Sequence, residues 1–197
     1  RGHCLAALES AWPGITASLR GGTAAPMLAE AKTDDVPLLF WTGASWGVGV
    51  AASGGDVAWL ADLGAVEALF GRALELDEAY DRGLLHQAMI PLSAVGGPRG
   101  DAQAARHHRD RALELAGGQA AAAHVAYAEA VLLPQQDRAA FEAELRQALE
   151  VNIDSVPALR LANVLAQQRA RFLLSSMDLL FLDSGEETLE EASDSAL

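Results

Sequence analysis

The chain of 197 residues contains 41 Ala and 30 Leu but only 14 Ile and Val residues together, a composition that favours helix over sheet. Hydrophobic residues make up 51% of the chain, which is enough for a buried core and excludes a wholly disordered protein. The net charge of −13 argues against nucleic acid and anionic lipid as partners. We therefore expect an all-α fold and, at this length, a single domain.

The first 35 residues predict one or two irregular helices, interrupted at 12–14 and 20–22 where Pro and Gly occur. Cys4 is the only cysteine, so an intrachain disulfide is impossible. Cys4 is either a lipid-attachment site or a half-buried residue of a first helix over 4–10. Because the three residues before it do not resemble a lipoprotein signal, we favour the buried cysteine. The chain begins with Arg1 rather than Met, so any targeting segment is expected upstream.

The segment 36–55 contains 20 residues without a charge, long enough as a helix to span a bilayer. However, it contains Pro37 and several glycines, and its flanks are acidic instead of carrying Lys or Arg anchors. We favour a helix buried on all sides in a globular protein over a membrane span.

Three segments align without gaps and indicate an internal repeat: 72–76, 111–115 and 147–151. Their central alanines, Ala73, Ala112 and Ala148, are 39 and 36 residues apart, the kind of period that predicts stacked helix pairs similar to tetratricopeptide (TPR) repeats. The excess over the usual period falls in loops such as 94–100. The predicted pairs are 36–52 with 64–76, 79–94 with 101–116, and 119–132 with 137–151. The expected architecture is a short TPR-like solenoid of three to four helix pairs with a concave face.

A long capping helix is predicted over about 157–181, since terminal repeats need a cap. A helical wheel of this segment separates a polar stripe from an apolar one. The polar stripe contains Arg160, Asn163, Gln167 and Arg171, and the apolar stripe contains Ala158, Ala162, Leu165, Leu173 and Leu180. Arg169 falls within the apolar stripe, so it either bridges to an acid on a neighbouring helix, which we favour, or clamps an anionic ligand.

The end of the chain differs from the rest in charge. Residues 183–197 hold six acidic residues and no basic one, which leaves a net charge of −7 on the first 182 residues. This composition predicts a disordered acidic tail after a folded domain over 1–182.

Catalytic and metal chemistry have weak candidates. The segment 43–47 matches the G-x-S-x-G nucleophile elbow around Ser45, but no alternation of strands and helices follows it, so a serine hydrolase is the least favoured alternative. No H-E-x-x-H motif, cysteine pair or phosphate loop is present, and no metal or cofactor is predicted. The histidines of 107–108, next to Arg106, Arg109 and Arg111, are interpreted as part of one solvated basic face.

Aromatic side chains on the first helix of each predicted pair are better candidates, for binding. They are Phe40, Trp41, Trp46, His86 and Tyr127, and together they mark a possible apolar groove on the inner face. For any one of them, ordinary core packing is the favoured alternative. Asn163 and Arg169 complete the candidate contacts to a ligand or partner.

Several segments resemble the T component associated with tripartite ATP-independent periplasmic (TRAP) transporters, over about residues 4–182. The similar segments are 36–47, 72–77, 83–86, 161–163 and 169–174. The most specific elements are Trp-x4-Trp at Trp41 and Trp46 and Asn-x5-Arg-Ala from Asn163, in that order around the repeats.

The resemblance implies a periplasmic helical protein, often lipid-anchored, that is not an enzyme. It implies pairing with the solute-binding protein of a TRAP transporter, a possible homotrimer, and an apolar or amphipathic ligand held in the groove or in a pore beside it. A cytosolic TPR scaffold that binds a peptide in its concave groove is the alternative.

Overall fold

The computed structural model describes residues 2–54, 56–94 and 100–182, and within these ranges the chain is helical without a strand. The prediction of an all-α fold is confirmed. The predicted acidic tail over 183–197 and most of the predicted loop over 94–100 lie outside the described residues.

The α-helices are numbered in chain order. They are α1 Gly2–Ala11, α2 Ile15–Arg20, α3 Ala25–Leu28, α4 Val36–Ala52, α5 Val57–Leu60, α6 Leu63–Leu76, α7 Leu84–Ala94, α8 Ala102–Leu115, α9 Ala121–Tyr127, α10 Arg138–Glu150, α11 Arg160–Ser175 and α12 Met177–Leu180. Short 3-10 turns cover Thr33–Asp35, Tyr80–Arg82 and Pro157–Leu159, and a π-helical turn, Ala128–Leu132, continues α9.

Local chemistry accounts for several helix ends. The Asp101 carboxylate accepts hydrogen bonds of 2.9 Å from the backbone N–H groups of residues 103 and 104 and caps α8, and Asp137 caps α10 in the same way. Before α7, Gly83 has φ +86, and a Cβ there would lie 3.1 Å from the Cα of Ala112. Glycine is therefore required where the start of α7 touches α8.

The helices pack in the predicted pairs: α4 with α6, α7 with α8, and α9 with α10. The three repeat alanines, Ala73, Ala112 and Ala148, are completely buried, as expected for small residues at close helix contacts. Helix α11 packs on both α9 and α10. The finer likeness of these pairs to TPR repeats stays a prediction.

Buried apolar side chains form two clusters that meet at α7. The first cluster joins α1–α4 and α6, with Trp46 completely buried, and it receives Leu85 and Leu92 from α7. The second joins α8–α12, with Phe141 completely buried, and it receives Ile90 from α7. Opposite sides of one helix thus hold the two halves together.

The N-terminal region and the α4 segment differ in detail from the sequence predictions. Residues 2–35 form three short helices and a 3-10 turn, and Cys4 is half-buried in α1, as expected. Helix α4 has 17 residues, and in the described part of the chain no helix is both long and apolar enough to cross a bilayer.

The predicted division of the capping helix into a polar and an apolar stripe is wrong in part. Asn163 and Gln167 from the polar stripe are buried, and Leu165 from the apolar stripe is 57% exposed, whereas Leu173 is buried as predicted. The Asn163 amide donates to the carbonyl of Gln119 at 2.9 Å and its oxygen accepts from the N–H of Ala121 at 3.1 Å. The helix also ends at Ser175 rather than near 181.

The contacts of Gln167 explain which side of α11 is buried. Its Nε2 lies 2.8 to 3.2 Å from three backbone carbonyls at the end of α10, those of Ala148, Leu149 and Val151. The last carbonyls of a helix have no partner within that helix, so a buried amide that satisfies them is stabilising.

Candidate functional site

An apolar cavity of about 470 Å³ lies between α4, α6 and α7, with one residue from α5. This size is within the range of small-molecule sites. Its lining contains no charged side chain: Ala44, Gly47, Val48, Val50, Ala51, Leu60, Leu63, Val66, Phe70, Ala88, Pro91 and Leu92. Val48 is 69% exposed and Leu60 is 39% exposed although both line the cavity, so it opens to solvent between α4 and α5.

The glycines of α4 determine how closely its neighbours approach. A Cβ on Gly43 would lie 2.7 Å from the Phe70 ring, and one on Gly49 would lie 2.6 Å from the Trp59 ring. Both rings therefore rest directly on the α4 backbone. Next to these two contacts, the short side chains of Ala44 and Ala51 and the bare Gly47 leave space that becomes the cavity.

The predicted aromatic residues of α4 do not line this cavity. Phe40 is buried against Phe70, with ring centroids 5.8 Å apart, and Trp41 packs edge-on against Phe40 while remaining 57% exposed. Trp46 is completely buried, and its Nε1 donates to an Asp62 oxygen at 2.8 Å. Phe40 therefore supports the cavity wall through Phe70, and direct ligand contact by these residues stays a prediction.

The remaining predicted contacts lie in the second half of the chain. Tyr127 is buried beneath the Arg109 guanidinium, 4.8 Å from the ring centroid. Arg169 forms the predicted bridge to an acid on a neighbouring helix, Glu129, with Nε 3.1 Å from Oε1. Its predicted burial is wrong, because its side chain is 49% exposed and its guanidinium also lies over the Phe172 ring.

His86 belongs to a polar cluster between α7 and α8. Its Nδ1 lies 2.8 Å from Nδ1 of His108, and its Nε2 lies 3.2 Å from a Glu78 oxygen. Arg111 donates two hydrogen bonds to Glu78, at 2.7 and 2.8 Å, and lowers the pKa of that carboxyl to about 2. Burial lowers the pKa of His86, and it lowers that of His108 to about 4.

A second polar cluster joins α8 to α9 and α10. Glu144, buried on α10, accepts from His124 Nδ1 at 2.7 Å and pairs with Arg109 at 3.3 Å. The predicted solvated basic face of α8 is therefore wrong for two of its members. His107 is exposed, as predicted. His108 is half-buried against α7, and Arg109 contacts α9 and α10 on the other side of α8.

Ser45 lies within α4, and its hydroxyl donates to the Thr42 carbonyl at 3.1 Å. A nucleophile elbow requires a strand immediately before the serine, and residues 36–44 are helical. The serine hydrolase alternative is wrong.

The structure also contains a second cavity of about 480 Å³ between α2, α3 and α6. Its charged residues, Arg72 and Glu75, pair with each other at 2.9 Å, and Arg72 also donates to the carbonyls of Ala29 and Ala31. Because these bonds fasten α6 to the N-terminal segment, the purely apolar cavity is the better candidate for a ligand.

Comparison with known proteins places this geometry in context. A family model described as "TRAP transporter T-component" matches residues 1–181. A protein of Treponema pallidum (strain Nichols), described as uncharacterized, is 28% identical over 189 residues, which are 92% of this chain and 58% of the relative. The chain thus spans less than two thirds of the length of that relative.

Proposed function

The chain belongs to the TRAP transporter T-component family, and on this premise we propose that it is a non-enzymatic accessory of a TRAP system in the periplasm. Its proposed tasks are to hold an apolar ligand, or the apolar part of one, and to bind the solute-binding protein of the same system. The apolar cavity between α4, α6 and α7 is the observation that carries the ligand part of this proposal.

The chemistry of the lining favours an uncharged hydrocarbon ligand. The walls offer aliphatic side chains and one aromatic ring, and no charged group that would compensate a buried ligand charge. Transfer of apolar ligand surface from water into such a site is favourable by about 25 cal/mol per Å². A charged or hydrogen-bonding head group would stay in solvent at the opening between Val48 and Leu60.

Binding of the neutral fluorophore N-phenyl-1-naphthylamine tests the ligand site. We expect saturable fluorescence enhancement, and at least roughly tenfold weaker binding by Ala88→Leu, which fills the cavity from the α7 wall. Ala52→Leu is the matched control, because Ala52 is exposed at the end of α4 and does not line the cavity. Equal affinity of Ala88→Leu and the unaltered protein would place the fluorophore elsewhere and contradict the proposal.

The outer face of α11 is the surface that we propose for the solute-binding protein. Leu161 is 71% exposed, and Leu165 and Phe172 are each 57% exposed, on one side of the helix. Terminal helices of solenoids normally present a polar outer face, and clustered exposed apolar residues mark interaction sites. The flanking charges on α11 are all arginines, which favours an acidic rim on the partner.

Isothermal titration with the solute-binding protein of the TRAP system from the same organism tests the surface. We expect Leu165→Glu to weaken binding by roughly tenfold or more, since it places a charge in the apolar stripe. Gln147→Glu adds the same charge on the exposed side of α10 and should bind normally. Normal binding by Leu165→Glu would move the interface away from α11.

The family resemblance also leads us to propose a homotrimer. Light scattering of the purified protein should then give about three times the chain mass of 20.6 kDa. A mass equal to that of one chain at micromolar concentration would contradict the trimer without affecting the ligand site.

A further inference from the structure

The two histidine rings between α7 and α8 face each other through equivalent nitrogens. Nδ1 of His86 and Nδ1 of His108 are 2.8 Å apart, which is hydrogen-bonding distance. A hydrogen bond between two imidazole nitrogens contains one proton, so one ring must donate and the other must accept. The contact therefore depends on the number of protons that the pair carries.

The neighbouring carboxylate fixes the direction of this bond. Glu78 is held ionised by its two hydrogen bonds from Arg111, so it can only accept, and His86 Nε2–H donates to it. In the neutral pair, His86 Nδ1 then has no hydrogen and accepts from His108 Nδ1–H. One additional proton can be accommodated, but a second makes both rings cations with N–H groups directed at each other.

Most surrounding groups oppose protonation. Glu78 favours a charged His86, but its charge is balanced by Arg111, and the His107 ring lies 6.4 Å from the His86 ring. Polar groups of the other helical elements against α7 have partners of their own. His124 of α9 bonds to Glu144, Glu129 of the π-helical turn bonds to Arg169, and Arg72 and Glu75 of α6 bond to each other. Burial is the largest cause of the lowered pKa of both His86 and His108.

We propose that the His86–His108 contact is a proton-sensitive clasp, which holds α7 on α8 while the pair carries at most one additional proton and releases α7 when acid protonates both rings. Helix α7 also supplies Ala88, Pro91 and Leu92 to the apolar cavity, so release of the clasp loosens one cavity wall. This second consequence rests on the proposed ligand function, whereas the clasp itself does not.

The sign of the pH effect follows from linkage. The pKa of His108 falls from its ordinary 6.5 to about 4 in the folded protein, so the unfolded chain binds more protons between these values. Stability is then unaffected above about pH 6.5 and decreases as the pH falls from there toward about 4. For this group alone, the unfolding equilibrium constant should rise by up to roughly 30-fold between pH 7.5 and pH 5.

Urea unfolding between pH 7.5 and pH 5 tests the clasp, since most carboxyl groups titrate below this range. We expect His108→Gln to reduce the pH dependence by most of that factor, because its amide can still donate to His86 but does not titrate. His107→Gln is the matched control: it removes an exposed histidine from the adjacent position and should retain the full pH dependence.

Proton titration of the ring resonances gives an independent readout of the same contact. In the unaltered protein, His108 should titrate well below pH 6. The clasp is overturned if His107→Gln and His108→Gln flatten the unfolding profile equally, or if His108 titrates near pH 6.5.

Naphthylamine binding at pH 7.5 and at pH 4, where the folded pair begins to take up protons, tests the link to the cavity. Affinity should fall at pH 4 in the unaltered protein and remain constant in His108→Gln. Equal affinity at both pH values in the unaltered protein would overturn the coupling between the clasp and the cavity. Absence of binding at every pH would overturn the proposed ligand site. The unfolding data test the clasp independently of both.

Discussion

Replacement of Glu144 by Gln is expected to destabilise the protein strongly. The Glu144 carboxylate is almost completely buried and joins three helices, because it accepts from His124 on α9 and pairs with Arg109 on α8. Glutamine keeps the size of the side chain and one acceptor but removes the negative charge. The guanidinium of Arg109, which is only 14% exposed, then loses its buried counter-charge.

The expected loss is about 3 kcal/mol, the lower end of the range for removing one partner of a buried ion pair, because the amide still accepts a hydrogen bond. For a chain of this length, 1 kcal/mol shifts the melting temperature by about 2–4 °C, so Glu144→Gln should melt roughly 6–12 °C lower. Thermal unfolding followed by far-ultraviolet circular dichroism at pH 7 measures the shift.

Glu142→Gln is the control, two residues earlier in the same helix. Glu142 pairs with Arg146 one turn away on an exposed surface, and such pairs contribute about 0.3–0.5 kcal/mol. Its melting temperature should therefore fall by no more than about 2 °C. Equal shifts for the two variants would show that the charge at 144 is already compensated by solvent, and the reasoning about the buried cluster would fail.

Two further predictions concern close contacts. Gly43→Ala should cost about 1–3 kcal/mol in urea unfolding, because the new Cβ would lie 2.7 Å from the buried Phe70 ring. Gly47→Ala should instead be neutral or stabilising by up to about 1 kcal/mol, since its Cβ would make an ordinary contact at 3.7 Å and alanine favours the helix. Equal losses of stability in Gly43→Ala and Gly47→Ala would contradict the argument from these two contact distances. Asn163→Asp should lower the free energy of unfolding by about 3 kcal/mol at pH 7 in the same assay, because it removes a donor to a buried carbonyl and buries a charge. The control is Asn152→Asp on the surface, which should be nearly neutral. A loss of less than about 1 kcal/mol at Asn163 would mean that solvent reaches this amide.

The helix pairs were predictable because their signals are local. A small residue recurs at Ala73, Ala112 and Ala148, and the predicted ends of the paired helices agree with the observed ones to within a few residues. Capping aspartates and interrupting Gly and Pro residues mark the same boundaries. The helix ends are marked by neighbouring residues and the repeat by a regular spacing along the chain, so no tertiary information was needed.

The orientation of α11 was not predictable in this way. A helical wheel sorts residues by polarity, so it assigned Asn163 and Gln167 to a polar stripe and Leu165 to the opposite apolar stripe. In the structure the buried side of α11 contains Asn163 and Gln167 together with Leu173 of the apolar stripe. The open carbonyls at the end of α10 require donors, and Gln167 provides one. Which polar residue is needed inside depends on an unsatisfied group elsewhere in the chain, and hydrophobic periodicity contains no such information.

The apolar cavity was not predicted from the sequence, for a related reason. Aromatic residues were taken as the markers of a groove, but large rings such as Trp46 and Phe40 fill space and became core. The cavity instead lies where small residues of α4 fail to fill the gap to α6 and α7. The sequence signal for the cavity was the uncharged, glycine-containing segment 36–55. The volume of a cavity between three helices depends on their separation, however, and the sequence of one helix does not determine that separation.

Helix α8 shows how two apolar clusters are kept in one arrangement. Apolar contacts are not directional, so alone they would allow α8 to slide or rotate against its neighbours. Two polar links remove this freedom: Arg111 reaches Glu78 before α7, and Arg109 reaches Glu144 on α10. Displacement by a residue would separate each guanidinium from the carboxylate of the neighbouring element and leave it only the acid that it also pairs with on α8, Asp110 or Glu114. The histidine contact lies beside the first link, so protonation of the His86–His108 pair acts on the side of α8 that faces the cavity-lining helix.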